Sequence, residues 1–197
     1  MGKLEVFAIA SLLFVATAAN AGWQEQASRS DAQRLSHLAE SRAKGLDEAA
    51  RGAPAADLAA IRSVLGAEAV DASSAALEGA WRCRTIKLGG ITPDVVYGWF
   101  RCRISLRHGA PYFEKLTGSQ RTSGFLYSQG GGFVYLGASY VTGEQPHVYS
   151  GNGAEAGAGA TPDDQIGLFS RLSDGRARLE LPYPLQESTF DVIELKR

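Results

Sequence analysis

Eighteen of the 23 glycines fall in the last 119 of the 197 residues, where they interrupt short runs of aromatic and branched side chains. Each glycine inside a helix costs ~1 kcal/mol relative to alanine, yet glycine turns the chain tightly because it accepts positive φ. From Gly79 onward the sequence therefore predicts antiparallel β structure. Segments at 80–88, 95–107, 112–116, 121–127, 133–140, 147–149, 167–172, 176–181 and 189–195 read as strands. The firmest turn is Asp174-Gly175, a dipeptide suited to a tight hairpin. Eight or nine such strands with no helix between them fit a small meandering barrel, with a β-sandwich as the alternative. The run from Ser150 to Thr161 is low in complexity and reads as a mobile loop.

Residues 22–78 are alanine-rich and read as two helices. Ser30 or Asp31 can cap the first, whose Leu35, Leu38, Ala39, Leu46 and Ala49 fall roughly on one stripe before Gly52 and Pro54 end it. The second starts near Pro54 and repeats Leu58, Ile61 and Leu65. So few large apolar side chains cannot hold a core alone, so this arm is expected to pack on the β domain of residues 79–197.

The start of the chain carries an apolar run from Val6 to Ala19, followed by the small-x-small pattern Ala19-Asn20-Ala21. Residues 1–21 read as a signal peptide cleaved before Gly22, although Glu5 offsets Lys3 in the leading segment. The run is shorter than the roughly 20 residues a spanning helix needs, and no later stretch is apolar enough. A periplasmic protein without a transmembrane segment is the expectation. In that oxidising compartment Cys83 and Cys102 are expected to pair. A bridge between the alternating segments around them closes a loop worth ~3 kcal/mol in the chain-entropy treatment.

Lys and Arg total 20 against 21 Asp and Glu, so nucleic acid is not an expected partner. The balance hides polarity. Residues 79–121 hold eight basic and two acidic side chains, residues 143–174 hold one and five, and residues 22–78 hold six and nine. If the cysteines point inward, Trp81, Phe100 and Ile104 share their face, while Arg82, Arg84, Trp99, Arg101 and Arg103 point outward with Tyr97 on the same side. Guanidinium forks beside rings suit carboxylate or phosphate, which makes these six residues candidate ligand contacts. Gln120 and Arg121, in the polar turn Thr117-Gly118-Ser119-Gln120-Arg121, complete the set. Two alternatives stand beside this: the acidic helices cover the arginines, or the faces are reversed and the arginines line the barrel interior.

Catalytic, metal and cofactor signatures are not found. His37, His108 and His147 have no Gly-x-Ser-x-Gly partner and no second histidine at metal-binding spacing. Asp163 with Asp164, and Asp47 with Glu48, read as solvated surface, and Glu114 as a cross-strand ion-pair partner near Lys115. Gly130-Gly131-Gly132 lacks the Lys-Ser/Thr of a phosphate loop.

Gly79-Ala80-Trp81 is similar to the Gly-x-Trp that opens lipocalin and avidin barrels, where the indole plugs one end, but the other lipocalin motifs are missing. Most of the chain from Trp23 to Leu195 resembles the domain-of-unknown-function 4893 family of exported bacterial proteins. The matching words are Trp81-Arg82-Cys83-Arg84, Val96-Tyr97-x-Trp99-Phe100-x-Cys102-Arg103-Ile104, Thr117-Gly118-Ser119-Gln120-Arg121 and Ser188-x-x-Asp191-Val192. The resemblance implies an envelope protein with helices before a β domain and brings no activity. The expected function is non-enzymatic binding of an anionic or amphiphilic ligand, such as a small molecule or lipid. The alternatives are an envelope-protein partner or inhibitor acting through barrel loops, and third a hydrolase.

Overall fold

A computed structural model describes residues 22–151 and 161–197. The expected signal peptide and most of the Ser150–Thr161 run lie outside the described residues. Helices α1 (Trp23–Gln26), α2 (Arg29–Ser36), α3 (Leu38–Ala50) and α4 (Ala55–Leu65) come first, then β1 (Ala69–Val70) and α5 (Ser74–Leu77). Strands follow as β2 (Gly79–Leu88), β3 (Asp94–Val96), β4 (Phe100–Arg107), β5 (Ala110–Lys115), β6 (Gln120–Gln129), β7 (Gly132–Val141), β8 (Asp164–Leu172), β9 (Ala177–Pro182) and β10 (Phe190–Lys196).

Strand β2 and strands β4 to β10 pair antiparallel with their chain neighbours, and β10 pairs back onto β2 from Phe190↔Leu88 to Lys196↔Arg82. The result is a closed eight-stranded barrel, which sets aside the sandwich. Closure leaves no unpaired edge in the main sheet. Gly175, at φ 87°, turns β8 into β9 where the sequence places the hairpin.

Three expected elements differ. The segment 95–107 is broken, because β3 pairs with Ile86–Leu88 of β2 while β4 pairs with Gly79–Cys83 of the same strand. Residues 147–149 form no strand, since the Tyr149 hydroxyl instead donates to Asp31 Oδ2 at 2.6 Å and accepts from the Ser28 amide at 2.9 Å. The first helix breaks at His37, and its cap is Ser28, whose Oγ accepts from the Asp31 amide at 3.2 Å.

Strand alternation sorts the side chains. Inside lie Trp81, Cys83, Cys102, Ile104, Phe113, Leu126, Phe133, Tyr135, Phe169, Leu179, Ile193 and Leu195. The Cys83–Cys102 disulfide is formed, with Cα atoms 5.9 Å apart, and ties β2 to β4 within this core. Trp81 closes one end: its indole N–H donates to the Leu77 carbonyl at 2.8 Å, and Arg171 and Arg197 lie over its ring. The opposite end carries the turns that follow β2, β5, β7 and β9.

Outside, Ile86, Leu88, Phe190 and Val192 are covered by Ala49, Ile61 and Val64 of α3 and α4. The buried face of α3 is Ser41, Gly45 and Ala49 rather than its leucines. A Cβ on Gly45 would stand 2.8 Å from that of Phe190, so the helix lies hard against the barrel wall. No described helix is long and apolar enough to cross a membrane.

Candidate functional site

The eight residues singled out in the sequence divide between two places. Cys83 and Cys102 point inward, so Arg82, Arg84, Arg101 and Arg103 stand on the outer surface, which excludes an arginine cage inside the barrel. The acidic arm does not cover them. Its helices lie over the other end of β2, where Glu48 accepts from the Gly90 amide and the Thr189 hydroxyl, and Glu40 accepts from the Tyr183 hydroxyl. Arg84 instead pairs with Glu194 at 2.6 Å, and Arg103 with Glu114 at 2.9 Å. The Trp99 ring lies under both Arg84 and Lys196, at 4.8 and 4.1 Å, with Tyr97 exposed nearby in sequence.

Gln120 and Arg121 belong to the open end of the barrel, around a cavity of about 240 Å³. The inward positions of β2 continue past Cys83 to Thr85 and Lys87, and those of β5 end on Lys115. Thr122 of β6, Gln165 of β8 and Asp191 of β10 complete the polar wall, and Leu181 and Ile193 supply apolar surface. Gly118, at φ 95°, shapes the turn above, where a Cβ would meet the Phe100 ring at 2.9 Å. Its carbonyl accepts from Arg121 Nε at 3.2 Å and from the Thr142 hydroxyl at 2.8 Å. This turn sets the Gln120 carbonyl over Lys115.

Lys115 is the unusual group. It is buried, donates to the Gln120 carbonyl at 2.7 Å and lies 4.4 Å from the Phe100 ring centre. Among the described residues no carboxylate pairs with it. Burial first, then the like charges of Lys87 and Arg121, push its ammonium down to about 8. Lys87 differs because burial, which alone would lower it, is outweighed by the Glu187 hydrogen bond and the nearby Asp191 and Glu187 charges, leaving it above its ordinary value. Asp191, pushed up to about 6 by burial, accepts from the Ser188 hydroxyl at 2.6 Å. The motif Ser188-x-x-Asp191 thus fixes a carboxyl group in the cavity wall.

The other candidate carboxylates also have partners. Glu114 binds Arg103 and Arg107 rather than Lys115, because neighbouring strand residues face opposite ways. Asp164 is not solvated surface: it is buried and accepts from the amides of Ser150 and Thr161 at 3.0 and 3.1 Å. Asp163 meets His147 Nδ1 at 3.1 Å on the cavity rim. His147 Nε2 faces Glu144 at 3.9 Å, and among the described residues no serine, threonine or cysteine bonds to it. The pair therefore lacks the nucleophile of a hydrolytic triad. Among the described residues no group of three or more His, Cys, Asp or Glu side chains is placed to hold a metal ion.

Lys115, Lys87, Thr85, Thr122, Gln165 and Asp191 escape the sequence reading as site residues. Their signal is polarity at positions where alternation demands an inward side chain, as at Lys87 two and four residues past Thr85 and Cys83. A family profile described as domain of unknown function (DUF4893) matches residues 23–195. No curated protein and no solved structure matches the chain.

Proposed function

The chain belongs to the family described as domain of unknown function (DUF4893), and from that premise we propose that it is an exported, non-enzymatic protein whose barrel mouth binds a small anionic amphiphile. The apolar run and small-x-small pattern at the start of the sequence and the paired cysteines support export. The observation that carries the binding reading is Lys115, a buried cation facing a cavity with no carboxylate partner among the described residues. Burying an unpaired charge is costly, and a ligand carboxylate entering the mouth supplies the missing counter-ion. Thr85, Thr122 and Gln165 offer polar contacts around the headgroup. Leu181 and Ile193, with exposed Val141 and Leu185 at the rim, accept a short alkyl chain. The cavity lies below the roughly 300–1,000 Å³ of drug-sized sites, so a compact ligand fits it best.

Calorimetric titration with hexanoate and with hexanol tests this. Hexanoate is expected to bind at least tenfold more tightly than hexanol, with the difference shrinking in high salt. Equal affinity for the acid and the alcohol, or no binding of either, would remove the ammonium from its role and the reading with it.

A further inference from the structure

The register of the closed barrel lines up cations on its outer surface. Lys196 of β10 stands directly opposite Arg82 of β2, and Arg82 stands directly opposite Arg101 of β4. Partners so placed have Cβ atoms ~5 Å apart, and like charges there destabilise a sheet. Among the described residues neither Arg82 nor Arg101 forms an ion pair, and both are exposed. On the same face Arg103 and Arg107 share Glu114, and Arg84 is held by Glu194. Lys196 and Arg84 both lie over Trp99, which fixes two cations against a flat ring. The face therefore presents more positive charge than its own two carboxylates neutralise.

We propose that this face is a binding site for a linear carboxylate-bearing polysaccharide laid across β10, β2 and β4. A row that runs across strands repeats its charge at the strand spacing, which suits an extended chain carrying one anion per repeating unit. Guanidinium forks bind carboxylates bidentately, and the Trp99 ring under Arg84 and Lys196 holds two of the cations in place. An anionic bilayer is a poorer match, because interfacial binding needs apolar side chains to insert beside the cations. The most exposed large apolar residues, Ile91 and Val148, lie instead in the connections at the open end. A folded acidic protein is also disfavoured, since the row lacks the apolar centre of a stable interface. This site is separate from the barrel mouth and does not use Lys115.

The test uses the full chain and polygalacturonate as the probe, with uncharged dextran as control. Polygalacturonate is expected to bind and dextran not to bind. Raising the salt should weaken binding strongly, since the Debye length falls to ~3 Å at 1 M. The double variant Arg82→Gln, Arg101→Gln should bind at least tenfold more weakly while unfolding at the same or a higher temperature, because a like-charge pair has been removed. Lys115→Met should bind polygalacturonate as the parent does, which keeps this site distinct from the mouth. No binding of polygalacturonate, or unchanged binding by the double variant, would overturn the proposal. Binding to phosphatidylglycerol vesicles but not to the polysaccharide would overturn it too, by assigning the face to lipid.

Discussion

Replacing Glu180 by alanine is expected to lower the unfolding free energy by about 3–5 kcal/mol, the range for removing one partner of a buried ion pair. Glu180 lies on the outer face of β9, yet it is fully buried because α3 and α4 cover it. Arg178 Nε donates to its Oε2 at 2.9 Å, and Arg42 of α3 approaches Oε1 at 2.6 Å as a charge contact rather than an aligned hydrogen bond. Arg178 also donates to the carbonyls of Val64, Leu65 and Ala67 at 3.1, 3.2 and 2.8 Å, satisfying the C-terminal end of α4. Alanine leaves Arg178 buried without its counter-ion and releases Arg42, so α3 loses its ion pair to β9 while Arg178 keeps its bonds to the end of α4. Chemical denaturation measures the change. Glu180→Gln, which keeps shape but not charge, should fall between parent and alanine variant. A loss below about 1 kcal/mol for the alanine variant would show that the Glu180 ion pairs contribute no more than exposed ones do.

Glu180 also shows where the sequence stops speaking. Strand alternation makes the antiparallel strands, the disulfide and the outward arginines legible, because Cys83 and Cys102 sit in phase with Trp81 and Ile104 and glycines mark the turns. The same rule places Glu180 and Arg178 outside and therefore in water. They are buried only because two helices lie over that wall, and although α4 brings the legible stripe of Leu58, Ile61 and Leu65, α3 uses the small face Ser41, Gly45 and Ala49. Closure is equally silent, since the pairing of Phe190 with Leu88 joins residues about a hundred positions apart through backbone groups that every residue has. The arginines announce themselves as a cluster in the chain. The mouth does not, because Lys87, Lys115 and Asp191 are far apart in the chain, and Asp191 comes to stand opposite Lys87 only when β10 closes onto β2.

Lys115→Met is expected to do two opposite things: abolish hexanoate binding and raise stability at neutral pH by about 2 kcal/mol. Methionine keeps the unbranched chain and fills the same space. The gain is the roughly 3 kcal/mol implied by an ammonium pushed from 10.5 down to about 8, less about 1 kcal/mol for the hydrogen bond to the Gln120 carbonyl. The sign follows from proton counting. Between about 8 and 10.5 the unfolded chain holds a proton that folded Lys115 has lost, so parent stability rises with pH through that window. Below it both states are charged and the full burial penalty remains. The variant lacks this rise, so its advantage should be complete at pH 7 and fade by the upper end of the window.

Binding should follow the same groups. With hexanesulfonate, which stays ionised, affinity is expected to grow as pH falls from 9 to 7 and Lys115 gains its proton. It should grow again as Asp191, raised to about 6, becomes neutral. Lys87 paired with Glu187, Arg121, and the rim groups Asp163, His147 and Glu144 also face the mouth, so the Met variant must be titrated alongside to isolate the Lys115 limb. A variant that loses stability yet still binds the sulfonate would show that Lys115 holds the wall together and that another cation anchors the anion. A variant that gains stability and loses binding would mark Lys115 as a residue kept against the interest of the fold, which is the behaviour of a binding site rather than of a core.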